Sequence, residues 1–362
     1  MKKRDPTRHF ITVREKGGNK VSATVQSYII SNEMDAINLL EKVLNNEVDT
    51  DHLSIKVENF TPFNLHVTGD KFHQTITSSV MKGFLEMQSA IYKSYSLIRY
   101  NDEVPNKLTQ EDRDDLELEV KVLNGSSGFN VDWDGIFNNL IEKTVGRMTG
   151  KQVFVSVLFL IATFGGNSIY QTHIENQTQL RKAELELKAK QQESNERLET
   201  VKILNQANQR TLDVLEKAVN AEPITKTIKN DAKEVTTKLV KSVRTADKVE
   251  FQNAVEFSGE AAREITTSSK SSWEPKRIDG LYIIQYVDSS NAAKRKIRLQ
   301  DVESGQVFVA TLENDSLDQK ILNAIKNAEW GYTKVYLKIK TQTQNGKYKD
   351  SIIIGASEPQ KV

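Results

Sequence analysis

Between Lys151 and Glu175 the chain carries no Asp, Glu, Lys or Arg, and no other stretch restricts the fold as strongly. Within it, Val153–Tyr170 reads VFVSVLFLIATFGGNSIY. At 1.5 Å per residue this run reaches about 27 Å, close to the ~30 Å hydrocarbon core of a bilayer. Its apolar residues form no one-sided stripe, the pattern of a helix with apolar surroundings on every side. A single transmembrane helix over 152–171 is therefore expected, with Val153, Phe154, Leu158, Phe159, Leu160, Ile161 and Phe164 in membrane lipid. The densely apolar part, Val153–Phe164, is also short enough to be a buried core helix, the alternative. Its mid-chain position excludes a signal peptide. Lys143, Arg147 and Lys151 precede the segment closely, while Arg181 and Lys182 follow at a distance, so the positive-inside rule puts the N-terminal side in the cytoplasm. Ser156, Thr163, Gly165, Gly166, Asn167 and Ser168 are small or polar enough to line a pore in an oligomer.

Residues 1–148 read as an α+β domain. FITVRE and VSATVQSYII alternate and are rich in β-branched residues, which predicts two strands around the Lys-Gly-Gly-Asn turn. EMDAINLLEKVLNN follows as a helix, HLSIKVENF and NLHVTG as strands, and 75–100 as a long amphipathic helix. LELEVKVL is expected to be a strand. A helix over 131–147, with Asp132 as its cap, is expected to run directly into the membrane. His52, His66 and His73 cluster in sequence but lack metal-ligand spacing. Glu111, Asp112, Asp114 and Asp115 lack the alternation and central Gly of a calcium loop and read as a solvated helix start.

Residues 172–270 are expected to be helical. Leu180, Leu187, Val201 and Leu215 fall on one heptad position, and Leu198, Leu212 and Val219 on its companion. That spacing predicts a coiled coil and a homo-oligomer. Pro223 breaks the run, and a second helix is expected from Ile224 to about Thr267.

The C-terminal segment, 273–358, has the clearest pattern. GLYIIQYVD, KRKIRLQDV and QVFVATL read as strands, SLDQKILNAIKNAEW as a helix, and TKVYLKIKTQT with KYKDSIIIGAS as a hairpin across Asn345-Gly346. Three strands, a helix and two strands is the order of an OB-like five-stranded barrel, with another small barrel such as an SH3-like one as the rival. Residues 276–361 hold 14 Lys and Arg against 10 Asp and Glu, a net of +4. Lys294, Arg295, Lys296, Arg298 and Lys338 are the candidate ligand-binding residues. Tyr282, Tyr286, Phe308, Tyr336 and Tyr348 interleave with lysines, a combination suited to single-stranded nucleic acid. The same residues also suit a barrel filled by aromatics and kept soluble by edge lysines.

The absence of cysteine removes disulfides, Cys-ligated zinc, iron–sulfur clusters and thiol nucleophiles. Fifty basic against 49 acidic residues argue against polyanion binding by the whole surface. No catalytic triad, phosphate-binding loop, dinucleotide fingerprint or zinc motif occurs, and no cofactor or metal is expected. These features together lead to a non-enzymatic, single-pass membrane protein that self-associates. It would serve as a scaffold, sensor or membrane effector of a bacterial or phage system, with an oligomeric pore as one form. The alternative is a membrane-tethered, OB-like nucleic-acid or nucleotide-binding protein. An enzyme acting through an unrecognised N-terminal site ranks third.

Overall fold

The computed structural model describes residues 8–12, 24–123, 127–145, 150–187, 192–205, 207–267, 274–291, 293–313, 319–344 and 347–359. The chain divides into two compact units, within residues 1–267 and 268–362. The fold is mixed α+β. The Lys-Gly-Gly-Asn and Asn345-Gly346 turns and Arg147 lie outside the described residues.

The first unit begins with strands β1 (Arg8–Thr12) and β2 (Thr24–Ile30), helix α1 (Glu33–Leu44) and strand β3 (Leu53–Val57). These form a three-stranded sheet in which β1 pairs antiparallel with β2, and β2 pairs parallel with β3. Asn32 starts α1 by accepting the Asp35 amide hydrogen, as a short polar side chain does at a helix N-cap. Next come β4 (Phe63–Thr68), α2 (Ser78–Tyr100), α3 (Gln110–Asp115), β5 (Val120–Val122), β6 (Ser127–Val131), α4 (Asp134–Thr144) and α5 (Lys151–Gly165). Helices α6 (Ser168–Leu187) and α7 (Gln192–Glu199), strand β7 (Lys202–Ile203), α8 (Gln209–Ala221) and α9 (Pro223–Ser242) follow. Strands β8 (Lys248–Phe251) and β9 (Val255–Phe257) and helix α10 (Gly259–Thr266) complete the unit. A second sheet has the order β5-β6-β4-β8-β9-β7. Residues 248–257 thus belong to the same sheet as residues 63–131, and the unit does not end near residue 148.

The segment expected to span a membrane is α5, buried from Phe154 to Gly165 in the core of the first unit. It packs against α1, α2, α4, α8 and α9, so protein surrounds Phe154, Leu158, Phe159, Leu160, Ile161 and Phe164. Val153 is partly buried against the same core, and Ser156 and Thr163 are buried with it. Charged side chains at the two ends of α5 tie it to α1 and α6. Lys151 Nζ donates to the Leu44 carbonyl and to Asn46 Oδ1, both at 2.8 Å, and so satisfies the C-terminal end of α1. The Glu33 carboxylate, at the other end of α1, accepts the amide hydrogens of Asn167 and Ser168 at 3.2 Å and caps α6. A side chain at Gly165 would place its Cβ 2.5 Å from the Phe60 ring, so only glycine admits that contact. Among the described residues no single helix is long and apolar enough to cross a membrane; α5 and α6 meet those terms only as a pair, bent by 61°.

The expected coiled coil is likewise replaced by packing within the chain. Residues 172–220 form α6, α7, β7 and α8 rather than one helix. Leu198 and Leu215 are buried in the core and Val201 and Val219 pack against it. Leu212 is half-buried, Leu180 is 60% exposed, and the Leu187 side chain lies outside the described residues. The second expected helix ends at Ser242. Val249, Phe251, Val255 and Phe257 alternate inward on β8 and β9, and Gln252 and Asn253, both with φ near +50°, turn the hairpin between them. The cap of α4 also differs. Asp134, its first residue, accepts the Asn59 and Phe60 amide hydrogens at 2.7 and 2.8 Å, while Asp132 accepts the amide hydrogen of Asp134.

The second unit contains β10 (Glu274–Arg277), β11 (Gly280–Asp288), β12 (Lys294–Asp301), β13 (Val307–Glu313), α11 (Gln319–Gly331), β14 (Val335–Gln344) and β15 (Lys347–Ser357). Strand β11 pairs antiparallel with β12 and β14, β12 with β13, and β14 with β15. A parallel β13–β15 contact closes the ring, giving a five-stranded barrel that fits an OB-like fold. Strand β10 adds to β14 from outside.

Candidate nucleic-acid face of the barrel

Alternation along a strand sends successive side chains to opposite faces, and in a closed barrel this separates filling from surface. Ile297 and Leu299 of β12 point into the barrel and are fully buried. Lys294, Lys296 and Arg298 therefore form the outward row, about 6.7 Å apart along the strand. Arg295 belongs to the opposite set, opposes Leu312 in the ladder and is half-buried. Lys338 is exposed on β14 beside Lys340, which is paired in register with Arg277 of β10. Strand β11 lies between β12 and β14. The fold thus brings Lys294, Lys296 and Arg298 together and leaves Arg295 and Lys338 apart from them.

Cross-strand neighbours complete the wall. Arg298 sits between Tyr286 on β11 and Val309 on β13, and Lys296 between Asp288 and Thr311. Tyr286 and Val309 are exposed by 49% and 42%. Arg298 Nε donates to Gln285 Oε1 at 2.9 Å, which aims its guanidinium along the wall. Lys294 forms an ion pair of 3.1 Å with Glu313. Hydrogen bonding from Ser290 holds the Asp288 carboxyl below the usual carboxylate range, so Asp288 is ionised beside Lys296 at neutral pH. The wall offers cations at strand spacing next to an exposed ring, with two carboxylates at its margin.

Only some of the five interleaved aromatics are surface groups. Tyr282, Phe308 and Tyr348 form an edge-to-face chain, with centroids 5.9 and 5.0 Å apart. The Tyr282 hydroxyl donates to the Ile278 carbonyl, and burial pushes the phenols of Tyr282 and Tyr348 up. Tyr286 and Tyr336 face solvent. Two exposed aromatics escaped the sequence reading: Trp330, 79% exposed in the last turn of α11, and Tyr332, 88% exposed after it. The Trp-Gly-Tyr sequence at a helix end was their signal, since Gly331 ends the helix and Tyr332 takes φ +49°.

Among the described residues no three His, Asp or Glu side chains converge in a metal-binding arrangement. His52 pairs with Asp49 at the surface, and His66 lies on β4. Asp112, expected to be solvated, is buried: it accepts from the Tyr95 hydroxyl at 3.0 Å and lies 3.2 Å from Lys143 Nζ. Compared with known proteins, the chain matches no family model, no curated protein and no solved structure.

Proposed function

We propose that this protein is a non-enzymatic binding protein that takes single-stranded nucleic acid on the outer wall of its barrel. The supporting observation is the row of Lys294, Lys296 and Arg298 on β12, flanked by the exposed Tyr286 ring. The cations would receive successive phosphates, and the ring would stack a base without reading its identity. Stacking of this kind contributes roughly 1–3 kcal/mol per base.

Fluorescence anisotropy of the full chain with labelled single-stranded DNA and RNA, across a salt series, tests the reading. Three phosphate contacts predict a slope of about −2 in log K against log salt, at ~0.7 per contact. The double variant Lys296→Glu, Arg298→Glu is expected to weaken binding more than about tenfold and to flatten that slope. No binding at low salt, or unchanged binding by the variant, defeats the proposal.

A second reading, a self-associating membrane effector, scaffold or sensor, is favoured by one observation. Helices α5 and α6 together satisfy the length and composition of a bent span. It requires α5 to leave its contacts in the core. Carbonate extraction decides, because release of the full chain from the membrane fraction removes this reading.

A further inference from the structure

Ser79, Lys82, Gly83 and Glu86 fall at i, i+3, i+4 and i+7 on α2 and form one stripe of that helix. The stripe faces Lys238, Lys241 and Ser242 on the last turns of α9 across a cleft of about 250 Å³, to which Arg244 contributes. The helices touch at Gly83, where a Cβ would come within 2.8 Å of Leu239 Cδ2. That contact brings the flanking cations into one small space.

Four cations and one carboxylate line the cleft. Glu86 reaches only Lys238, at 3.8 Å. Among the described residues, no carboxylate lies within ion-pair distance of Lys82, Lys241 or Arg244. Favourable interaction with the negative C-terminal end of α9 accounts for Lys238 and Lys241. It does not account for Lys82, which sits in the second turn of α2, towards that helix's positive end. The α2 carboxylate in the cleft, Glu86, pairs with Lys238, and the first turn of α2 has no acidic residue. Positive charge from both helices and from Arg244 converges here without a matching anion.

We propose that this cleft binds a phosphate group carried by a small ester. Phosphate chemistry is favoured because ammonium and guanidinium groups supply charge and several N–H donors to its oxygens. The cleft is smaller than a drug-sized pocket, so it holds the phosphate and little of the remaining ester. The site lies within the first unit and is independent of the barrel wall.

Thermal unfolding of the full chain is measured in inorganic phosphate and pyrophosphate, against chloride at equal ionic strength. A saturable Tm rise of about 5 °C beyond chloride is expected, because a ligand that binds the folded state stabilises it. The double variant Lys82→Gln, Lys241→Gln is expected to lose that rise, as is Lys82→Gln alone in larger part. The barrel variant Lys296→Glu, Arg298→Glu should keep it. Cosedimentation with phosphatidylcholine vesicles containing phosphatidic acid identifies the source. Capture lost in the cleft variant assigns the phosphate to a lipid headgroup, and capture absent from the wild type leaves a soluble ester. Equal responses to phosphate and chloride, or an undiminished rise in folded cleft variants, overturn the proposal.

Discussion

In the first unit Lys143, Asp112 and Glu33 lie inside the fold and join helices, whereas the barrel keeps Lys294, Lys296 and Arg298 on its outer wall. Lys143 on α4 contacts Asp115 at 2.9 Å and Asp112 at 3.2 Å on α3, and Tyr95 of α2 donates to the same Asp112. The barrel's buried polar side chains, among the described residues, are Thr341 and Ser351, whose hydroxyls bond to each other at 2.7 Å. In the first unit Lys143, Asp112 and Glu33 are committed to architecture. In the barrel Lys294, Lys296 and Arg298 stand on the outer surface, with Glu313, Asp288 and Gln285 as their neighbours. Stability of the first unit should accordingly depend on pH and on single buried ionisable residues more strongly than stability of the barrel does.

The strongest break comes from the apolar side of this contrast. Phe159→Ala in α5 should cost about 3–5 kcal/mol, the range for deleting a buried aromatic. Urea unfolding followed by the emission of buried Trp133 measures it. A loss below about 1 kcal/mol would mean that α5 does not hold the core.

Acid is expected to act next. His173 donates from Nε2 to Thr237 Oγ1, whose own hydroxyl donates to the Lys233 carbonyl. Burial lowers the His173 pKa to about 4. The folded state therefore holds fewer protons than the unfolded chain, so this contribution is present above pH ~6.5 and lost as pH falls towards 4, up to about 3 kcal/mol. Burial raises the Glu33 pKa, with the opposite sign: its ionisation costs stability as pH rises through the raised value. Glu33→Gln should steepen the acid loss, and His173→Gln, which keeps a donor for Thr237, should flatten it. Urea midpoints across pH 4–7 test both signs.

Lys143→Met should cost about 2 kcal/mol. That lies below the ~3–5 of a fully interior pair, since Asp115 and Glu111 remain open to solvent and screen the loss. The smallest stability effect is expected on the barrel wall. Lys296→Glu with Arg298→Glu should stay within about 0.5 kcal/mol while weakening nucleic-acid binding, and an unfolded barrel in that variant would erase the contrast.

The barrel was legible because its strands are neighbours in sequence. Alternation and a helix after the third strand sufficed to give its order, and three of the five aromatics proved to be filling. The surroundings of α5 were not legible, because an apolar surface on all sides looks the same whether lipid or protein covers it. The protein that covers it comes from α1, α2, α4, α8 and α9, distant segments that no local pattern reveals. The heptads failed similarly, since Leu198 and Leu215 were buried by other helices of the same chain. Asp112 looked solvated beside Glu111 and Asp114 because its partner Lys143 lies outside any helical repeat with it. On the wall, alternation could have separated Arg295 from Lys294 and Lys296, but Lys338 could be placed only once the strand order was known.

Strand β4 pairs with β6 on one side and β8 on the other, which has a consequence for biosynthesis. When β6 has left the ribosome, more than a hundred residues must still be translated before β8 appears. At about 5–20 residues per second this takes roughly ten seconds. Throughout that interval the nascent chain presents β4, with Phe63, Leu65 and Val67, as an open edge able to pair with another chain. Ribosome-bound intermediates of this length are thus expected to be its most aggregation-prone form and the ones that engage chaperones.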